Sequence, residues 1–288
     1  MTPTGSAAVV QAMHRRFPWR FEILALPVLA VLMRVASGPT SALSYLIIAG
    51  YALVGRRQAV VALFLCWLFN MTNHALFGPP VMAAALRYVV ILCAAISVFS
   101  RGRAAHPTAR VDGLLLYALC LGGILVCHSF VISPIVDVSL LKALTFVIVL
   151  VTLLAGWGWM DASERRLASQ MVFGGLMLVG IASMATARLG AGYMPNSAGL
   201  KGVLVHSQTL GPAMAISAGL LSAQCLTMRP LPRWRIGMLG VCVAIIYLSQ
   251  ARIGLVSLLG GLVIAMLAQG CAVLADRRSE EHTSELQS

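Results

Sequence analysis

The polar residues with the clearest chemical potential lie in segment 199–211, just before an apolar stretch. This segment reads GLKGVLVHSQTLG and contains Lys201, His206 and Gln208. Glycines in and before it let the backbone approach a ligand closely. A lone histidine at a helix entry is usually a satisfied polar residue, so the functional interpretation of His206 depends on its cationic and amide neighbours.

A second polar break, in segment 248–254, reads LSQARIG and separates two apolar runs. Its cation is Arg252, which stands beside Ser249 and Gln250. A guanidinium keeps its charge at any physiological pH and presents a fixed fork of donors that matches phosphate oxygens. The alternative is a turn arginine that anchors two helices.

Both segments must be positioned by membrane helices. Of the 288 residues 59% are hydrophobic and only 10% charged, and runs such as 140–157 are apolar on every face. This composition excludes a soluble domain, and the continuous apolar runs exclude the alternating pattern of a β-barrel. We predict an all-α, polytopic helical membrane protein.

The apolar runs predict about ten transmembrane helices. The break at 37–40, Ser-Gly-Pro-Thr, is tight enough for either a helical hairpin or a broken helix. The predicted spans are 21–37, 40–54, 59–77, 80–99, 113–132, 139–160, 168–187, 207–226, 236–250 and 253–274.

The charge distribution predicts the orientation. The formal net charge is +12, and most basic residues fall in one alternate set of loops, which is expected to be cytoplasmic together with the N-terminus. This set contains Arg15, Arg16, Arg20, Arg56, Arg57, Arg101, Arg103, Arg110, Arg165, Arg166, Arg229, Arg233, Arg235 and Arg277.

Several cations nevertheless fall at or near the opposite, outer face, where Asp137 is the one acid. Snorkelling of the side chain to the headgroups explains any one of them, but the whole group favours a shared anionic ligand. The outer cations are Arg34, Arg188, Lys201 and Arg252 in loops, with Arg87 and Lys142 one or two turns inside spans four and six.

Segment 202–211 resembles an element of the O-antigen ligase and Wzy-type polysaccharide polymerase superfamily of bacterial inner membranes. The family element is Gly-x-x-x-His-x-Gln/Asn-x-x-Gly at a helix entry, matched here by Gly202, His206, Gln208 and Gly211. A family arginine often precedes it. Lys201 occupies that place, which keeps the charge and loses the bidentate fork.

Segment 249–254 is similar to the Ser-Arg-Gly-like element that opens a later helix in the same family. Gln-Ala follows Ser249 and Ile253 precedes Gly254, so the match is looser. The resemblance covers about 188–261. In the family a large periplasmic loop and more spans follow, which makes this chain similar to an N-terminal fragment.

The resemblance implies transfer of a glycan from an undecaprenyl-pyrophosphate carrier to an acceptor hydroxyl at the periplasmic face. The acceptor is a lipid A core sugar for a ligase or a growing polysaccharide for a polymerase, and both remain open. Because the outer face offers Asp137 as its one carboxylate, we expect a reaction without metal or other cofactor.

The expected catalytic residues are His206, the one local candidate for a general base, and Arg252. Lys201 joins Arg252 on the pyrophosphate, Gln208 orients sugar or diphosphate, and Arg188 and Arg87 are weaker substrate-binding candidates. Membrane lipids are expected partners, and nucleic acid is not.

The alternatives are a ten-span small-molecule transporter and a lipid-linked oligosaccharide flippase. A transporter predicts an internal repeat of about five spans and polar residues near mid-membrane, and neither is clear. A flippase predicts cations deep in a central cavity, whereas those here gather toward one face.

The domain prediction is one transmembrane domain over 1–277, truncated, followed by a non-native tail. The tail, 278–288, reads RSEEHTSELQS and resembles a translated sequencing adapter. We exclude it from the analysis of the fold.

Overall fold

The computed structural model describes residues 19–78, 82–105, 113–195, 199–227, 233–263 and 266–267. The adapter-like tail lies outside these ranges. The described residues form helices, with two isolated antiparallel bridges, Thr72 to Leu204 and Tyr193 to Leu200, in place of any strand. The all-α prediction is confirmed for this part of the chain.

The helices follow the predicted apolar runs closely. A 3-10 turn, Gly190–Gly192, lies between the eighth and ninth helices. The helices are α1 Trp19–Ala36, α2 Gly38–Val54, α3 Arg56–Asn70, α4 His74–Phe77, α5 Ala83–Ala105, α6 Gly113–Val131, α7 Val136–Trp159, α8 Ala162–Thr186, α9 Ser207–Thr227, α10 Arg233–Ser249 and α11 Arg252–Val263.

Four of these helices, within the part of the chain that the structure describes, are long and apolar enough to cross a membrane. They are Ala84–Arg101 within α5, Gly113–Val131, Val136–Trp159 and Ala162–Thr186. The other six predicted spans overlap α1 to α3 and α9 to α11, among which Ala25–Ala36 within α1, α2 and α11 are shorter apolar helices. Four spans, fewer than the predicted ten, therefore meet the requirements of length and hydropathy.

The break between α1 and α2 is a helical hairpin, because the two helices pack against each other. Ser37 has extended dihedrals, and its Oγ accepts a hydrogen bond from Thr40 N while Thr40 Oγ1 accepts one from Ser37 N. This capping box satisfies donors that the first turn of α2 leaves without helical partners. Pro39 adds no N–H that would need one.

The third predicted span, 59–77, is wrong at its end. Helix α3 stops at Asn70, because the next backbone groups bond to a distant loop instead of continuing the helix. Asn73 N donates to Val203 O at 2.8 Å, and Met71 O accepts from Val205 N at 2.8 Å. A separate short helix, α4, follows.

The chain forms two compact units. The described residues of unit 1 are 19–70, 77–78, 82–105 and 113–172, and those of unit 2 are 71–76, 173–195, 199–227, 233–263 and 266–267.

In unit 1 the core lies where α2, α3 and α5 pack together. The ring of Tyr45 meets that of Phe69 edge to face, with centroids 5.9 Å apart. Small residues such as Ala62 and Ala94 are fully buried and allow close helix approach, as in membrane bundles.

Helix α6 packs on α7 and presents a broad apolar surface outward. Leu116, Ile124 and Val131 are 56%, 65% and 82% exposed. A continuous apolar surface of this kind suits lipid contact better than contact with water. In unit 2, α9 packs along α10, and Met214 and Ile245 are fully buried.

Candidate functional site

The candidate site of unit 2 is built on the segment between α8 and α9, which is folded back by backbone hydrogen bonds. Gly192 O accepts from both Lys201 N and Gly202 N at 2.9 Å, and Met194 N donates to Gly199 O. Gly202 has φ +60°, and a Cβ there would overlap the side chain of Ser183 on α8. The glycine is required by backbone geometry and by space.

The segment is also attached to the end of α10. Leu200 N donates to Leu248 O at 2.9 Å, and Gly199, with φ +128°, lies so close to Ser249 that a Cβ would overlap its carbonyl oxygen. Leu200 and Ser249 are fully buried. The residues before Lys201 are thus fixed against the second motif.

Asn73 joins the segment to residues 71–76 and was not among the sequence-predicted site residues. It is 2% exposed, and its Nδ2 donates to the carbonyl oxygens of Ala191 at 2.9 Å and Gly202 at 3.0 Å. Its Oδ1 accepts from Ala75 N. Both ends of the amide are used, so the side chain is locked in one orientation.

The two motifs resembling the ligase and polymerase family are brought together at their glycines. A Cβ on Gly254 would lie 2.8 Å from the carbonyl carbon of Gly211, and a Cβ on Gly211 would overlap that of Ala251. Gly211 stands in the second turn of α9 and Gly254 in the first turn of α11. The N-terminal ends of these helices therefore meet.

Three of the predicted site residues, His206, Gln208 and Arg252, lie at the starts of these two helices. His206 immediately precedes α9 and its carbonyl oxygen accepts from Thr209 N and Leu210 N. Gln208 lies in the first turn of α9 and Arg252 opens α11; the side chains of all three are exposed. Groups at helix N-termini experience a positive potential that favours anions.

The turn before Arg252 is held by Ser249. Ser249 Oγ donates to Ile246 O at 2.8 Å and accepts from Ala251 N at 3.4 Å, while Gln250 adopts φ +52°. The two residues inserted relative to the family element form this turn. Arg252 is thereby presented at the start of α11 despite the looser sequence match.

The remaining predicted substrate-binding residues are Lys201, Arg188 and Arg87. Lys201 is half-buried, and Arg188 is exposed just beyond α8. Arg87 belongs to unit 1, where it lies beside Tyr88 and Lys142. The structure thus gathers Lys201, His206, Gln208, Arg188 and Arg252 in one unit and Arg87 in the other.

One cation of the predicted outer face has a structural role. Arg34 is 1% exposed, and its guanidinium donates to the carbonyl oxygens of Phe77 at 3.4 Å and Gly78 at 3.5 Å. These carbonyls stand at the C-terminal end of α4, where a cation is favourable. Arg34 therefore serves the fold, unlike the exposed cations of unit 2.

Among the described residues no three His, Cys, Asp or Glu side chains gather closely enough to hold a metal ion. Comparison of the chain with protein-family models, with characterised proteins and with solved structures gives no match.

Proposed function

We propose that this protein transfers a glycan from undecaprenyl pyrophosphate to a sugar hydroxyl at the periplasmic face of a bacterial inner membrane. The observation that carries the proposal is the contact of Gly211 with Gly254. It joins the starts of α9 and α11, so that His206 and Gln208 lie in the same unit as Arg252.

The chemistry of the transfer fits these groups. The bond between the anomeric carbon and the pyrophosphate oxygen breaks, a bond to the acceptor oxygen forms, and the acceptor hydroxyl loses its proton. Negative charge grows on the leaving pyrophosphate, and fixed positive groups stabilise it most in the transition state. Two helix N-termini, Arg252 and Lys201 supply such groups.

In this mechanism Arg252 and Lys201 bind the pyrophosphate and Gln208 orients the donor by hydrogen bonding. His206, exposed at the start of α9, accepts the proton of the acceptor hydroxyl. Arg188 and Arg87 remain the weaker binding candidates.

The connectivity of unit 2 supports a ten-span topology with both ends inside. In that topology segments 71–76, 187–206 and 250–251 are all outer. Backbone hydrogen bonds join 71–73 to 203–205, and residue 200 to residue 248, so these predicted outer segments do lie together. One outer cluster is what the positive-inside assignment requires.

The test is Arg252→Ala and Arg252→Lys in the full-length protein, in cells that lack their own copy. We expect loss of mature glycan and accumulation of the undecaprenyl-pyrophosphate-linked donor, with partial recovery in the lysine variant. Arg166→Ala, an exposed arginine of the predicted cytoplasmic side, is the matched control. Unchanged glycan transfer in Arg252→Ala would refute the proposal, and loss of solute uptake with normal glycan would favour the transporter.

A further inference from the structure

A groove in unit 1, between α5 and α7, gathers two cations of the membrane helices. Its volume is about 290 Å³, and it is lined by Arg87, Tyr88, Lys142, Thr145, Phe146 and Val149. The proposed glycan transfer makes no use of this combination. We call it the α5–α7 groove.

The polar end of the α5–α7 groove is rich in donors. Arg87 Nη2 donates to Tyr88 Oη at 2.7 Å, and the guanidinium carbon lies 4.7 Å from the centre of the Tyr88 ring. Arg87 Nε is buried and finds no hydrogen-bond partner among the described residues. Lys142 adds an ammonium group, and the Tyr88 hydroxyl, which already accepts a bond, has its proton to donate.

The lining holds no acid to balance these charges. The ion pair found in the described part of the chain, Arg56 with Glu164, involves neither cation of the groove. Two cations sharing one groove repel each other unless an anion lies between them. The arrangement therefore calls for a ligand with several acceptor oxygens and negative charge.

The depth of the groove indicates where that ligand comes from. At 1.5 Å per residue, Arg87 lies about 6 Å along α5 and Lys142 about 9 Å along α7 from the first residue of each helix. Both helices contain candidate membrane spans. In the proposed topology, with the first residue of each helix at the membrane surface, this is the depth of lipid headgroups and the upper acyl chains, where charged side chains are costly unless paired.

The apolar end continues the groove along α7. Lys142, Phe146 and Val149 are spaced at i, i+4 and i+7, so they lie on one face of the helix. Phe146 is 47% exposed. A surface of about 10 Å below the cations suits the first part of an acyl chain.

We propose that the α5–α7 groove binds an anionic membrane phospholipid. Its phosphate lies between Arg87 and Lys142, with Tyr88 donating a further hydrogen bond, and its acyl chain follows Phe146 and Val149. This replaces the weaker role of Arg87 in binding the glycan donor with a lipid phosphate as its ligand, and the proposed glycan transfer, carried by Arg252 and Lys201, does not depend on the assignment.

The test uses the full chain in detergent micelles, titrated with phosphatidylglycerol and observed by native mass spectrometry. In the double variant Arg87→Gln/Lys142→Gln we expect the tightest phosphatidylglycerol to bind about tenfold more weakly or worse, because two charge-assisted contacts are lost. Arg166→Gln, which removes an exposed arginine of α8, should bind as the wild type does.

Three results would overturn the proposal. The first is wild-type affinity for phosphatidylglycerol in the double variant, and the second is equal affinity of the wild type for diacylglycerol, which lacks the phosphate. The third is displacement of phosphatidylglycerol by millimolar inorganic phosphate, which would indicate a site for free anions. If the double variant fails to fold, Val149→Trp keeps both charges and fills the apolar end. Weakened phosphatidylglycerol binding in that variant supports the proposal, and unchanged binding refutes it.

Discussion

Gly254 of α11 and Gly211 of α9 are in direct backbone contact, close enough that a Cβ on Gly254 would lie 2.8 Å from the carbonyl carbon of Gly211. Each belongs to a motif identified from the sequence for its resemblance to a glycan-transferring family. Because neither glycine has a side chain, the two helices can approach each other closely at these positions. The cations and hydrogen-bonding groups of the motifs depend on this contact for their positions.

We expect Gly211→Ala and Gly254→Ala to abolish glycan transfer, because the added methyl group forces the starts of α9 and α11 apart. The matched control is Gly219→Ala, also in α9, where a Cβ meets nothing within 4 Å. That variant should be as active as the wild type and slightly more stable, by up to about 1 kcal/mol, because alanine favours a helix. Cell-based glycan assays and thermal unfolding measure both effects. Full activity in Gly211→Ala would contradict the role given to the contact.

Asn73→Ala should destabilise unit 2 by about 1–3 kcal/mol, since the buried carbonyl of Gly202 and the half-buried one of Ala191 lose their donor. Thermal unfolding in micelles gives the change, and limited proteolysis should show faster cleavage within 187–206. The half-buried Asn70 offers a control in Asn70→Ala, which should leave the proteolysis unchanged. Equal cleavage rates in the wild type and Asn73→Ala would show that the amide does not hold this segment.

Substitutions of Lys201 test whether the position before the first motif needs only a positive charge or also the bidentate geometry of a guanidinium. Lys201→Gln removes the cation and should lower glycan transfer about a hundredfold, as for other donors that stabilise a developing anion. Lys201→Arg introduces the arginine that often precedes the element of the resembled family and should retain or raise activity. Rates of donor consumption in membrane preparations give the comparison. Equal rates in all three proteins would remove Lys201 from the mechanism.

The hydrogen bonds of Asp161, at the start of α8 and outside the candidate membrane spans, predict that the stability of the fold depends on pH. Its Oδ1 accepts from Glu164 N at 2.7 Å and from Ser163 Oγ at 2.7 Å, and these bonds lower the pKa of the carboxyl below 3.8. Because the pKa of Asp161 is lower in the folded state than in the unfolded state, its ionised carboxylate stabilises the fold at pH values above the unfolded-state pKa. This stabilisation is lost as the pH falls through the folded-state pKa.

Asp161→Ala should therefore lower the thermal midpoint at pH 7 and make little difference at a pH below the folded pKa. Ser163→Ala, which removes one of the two bonds, should show a smaller effect of the same sign. A gap between Asp161→Ala and wild type that is constant from pH 7 to strongly acidic conditions would contradict the assignment.

The topology can be checked with single cysteines in a background without the native ones. Leu189→Cys, at a position 52% exposed beyond α8, should react with a membrane-impermeant maleimide added outside intact cells. Ala162→Cys, exposed at the start of the same helix, should react only after the membrane is opened. The reverse labelling pattern would invert the proposed orientation.

The helices could be predicted from the sequence because apolar runs and polar breaks are local signals. Even the α1–α2 hairpin was one of the two alternatives that the 37–40 break allows. The end of α3 could not be predicted, since the groups that stop it belong to 203–205, far along the chain. The role of Asn73 could not be predicted for the same reason, because the partners of its side chain are backbone carbonyls, which leave no trace in the pattern of side chains.

The candidate site, too, combines features that can be predicted from the sequence with features that depend on helix packing. Gly202, Gly211 and Gly254 stand out in the sequence through the resemblance to the family elements, and the structure gives each a steric reason. Spacing alone did not indicate that Arg87 would share a groove with Lys142, since that pairing depends on how α5 and α7 pack.

The bonds of Asn73 also set an order of events during synthesis. Its amide partners lie 118 and 129 residues later in the chain, and α5 to α8 are made in between. At ordinary translation rates Asn73 waits on the order of ten seconds before Gly202 leaves the ribosome. During that time its polar groups must be solvated by water or by the insertion machinery. The hydrogen-bonded loops of unit 2 are therefore assembled late, after the helices of unit 1 have been synthesised.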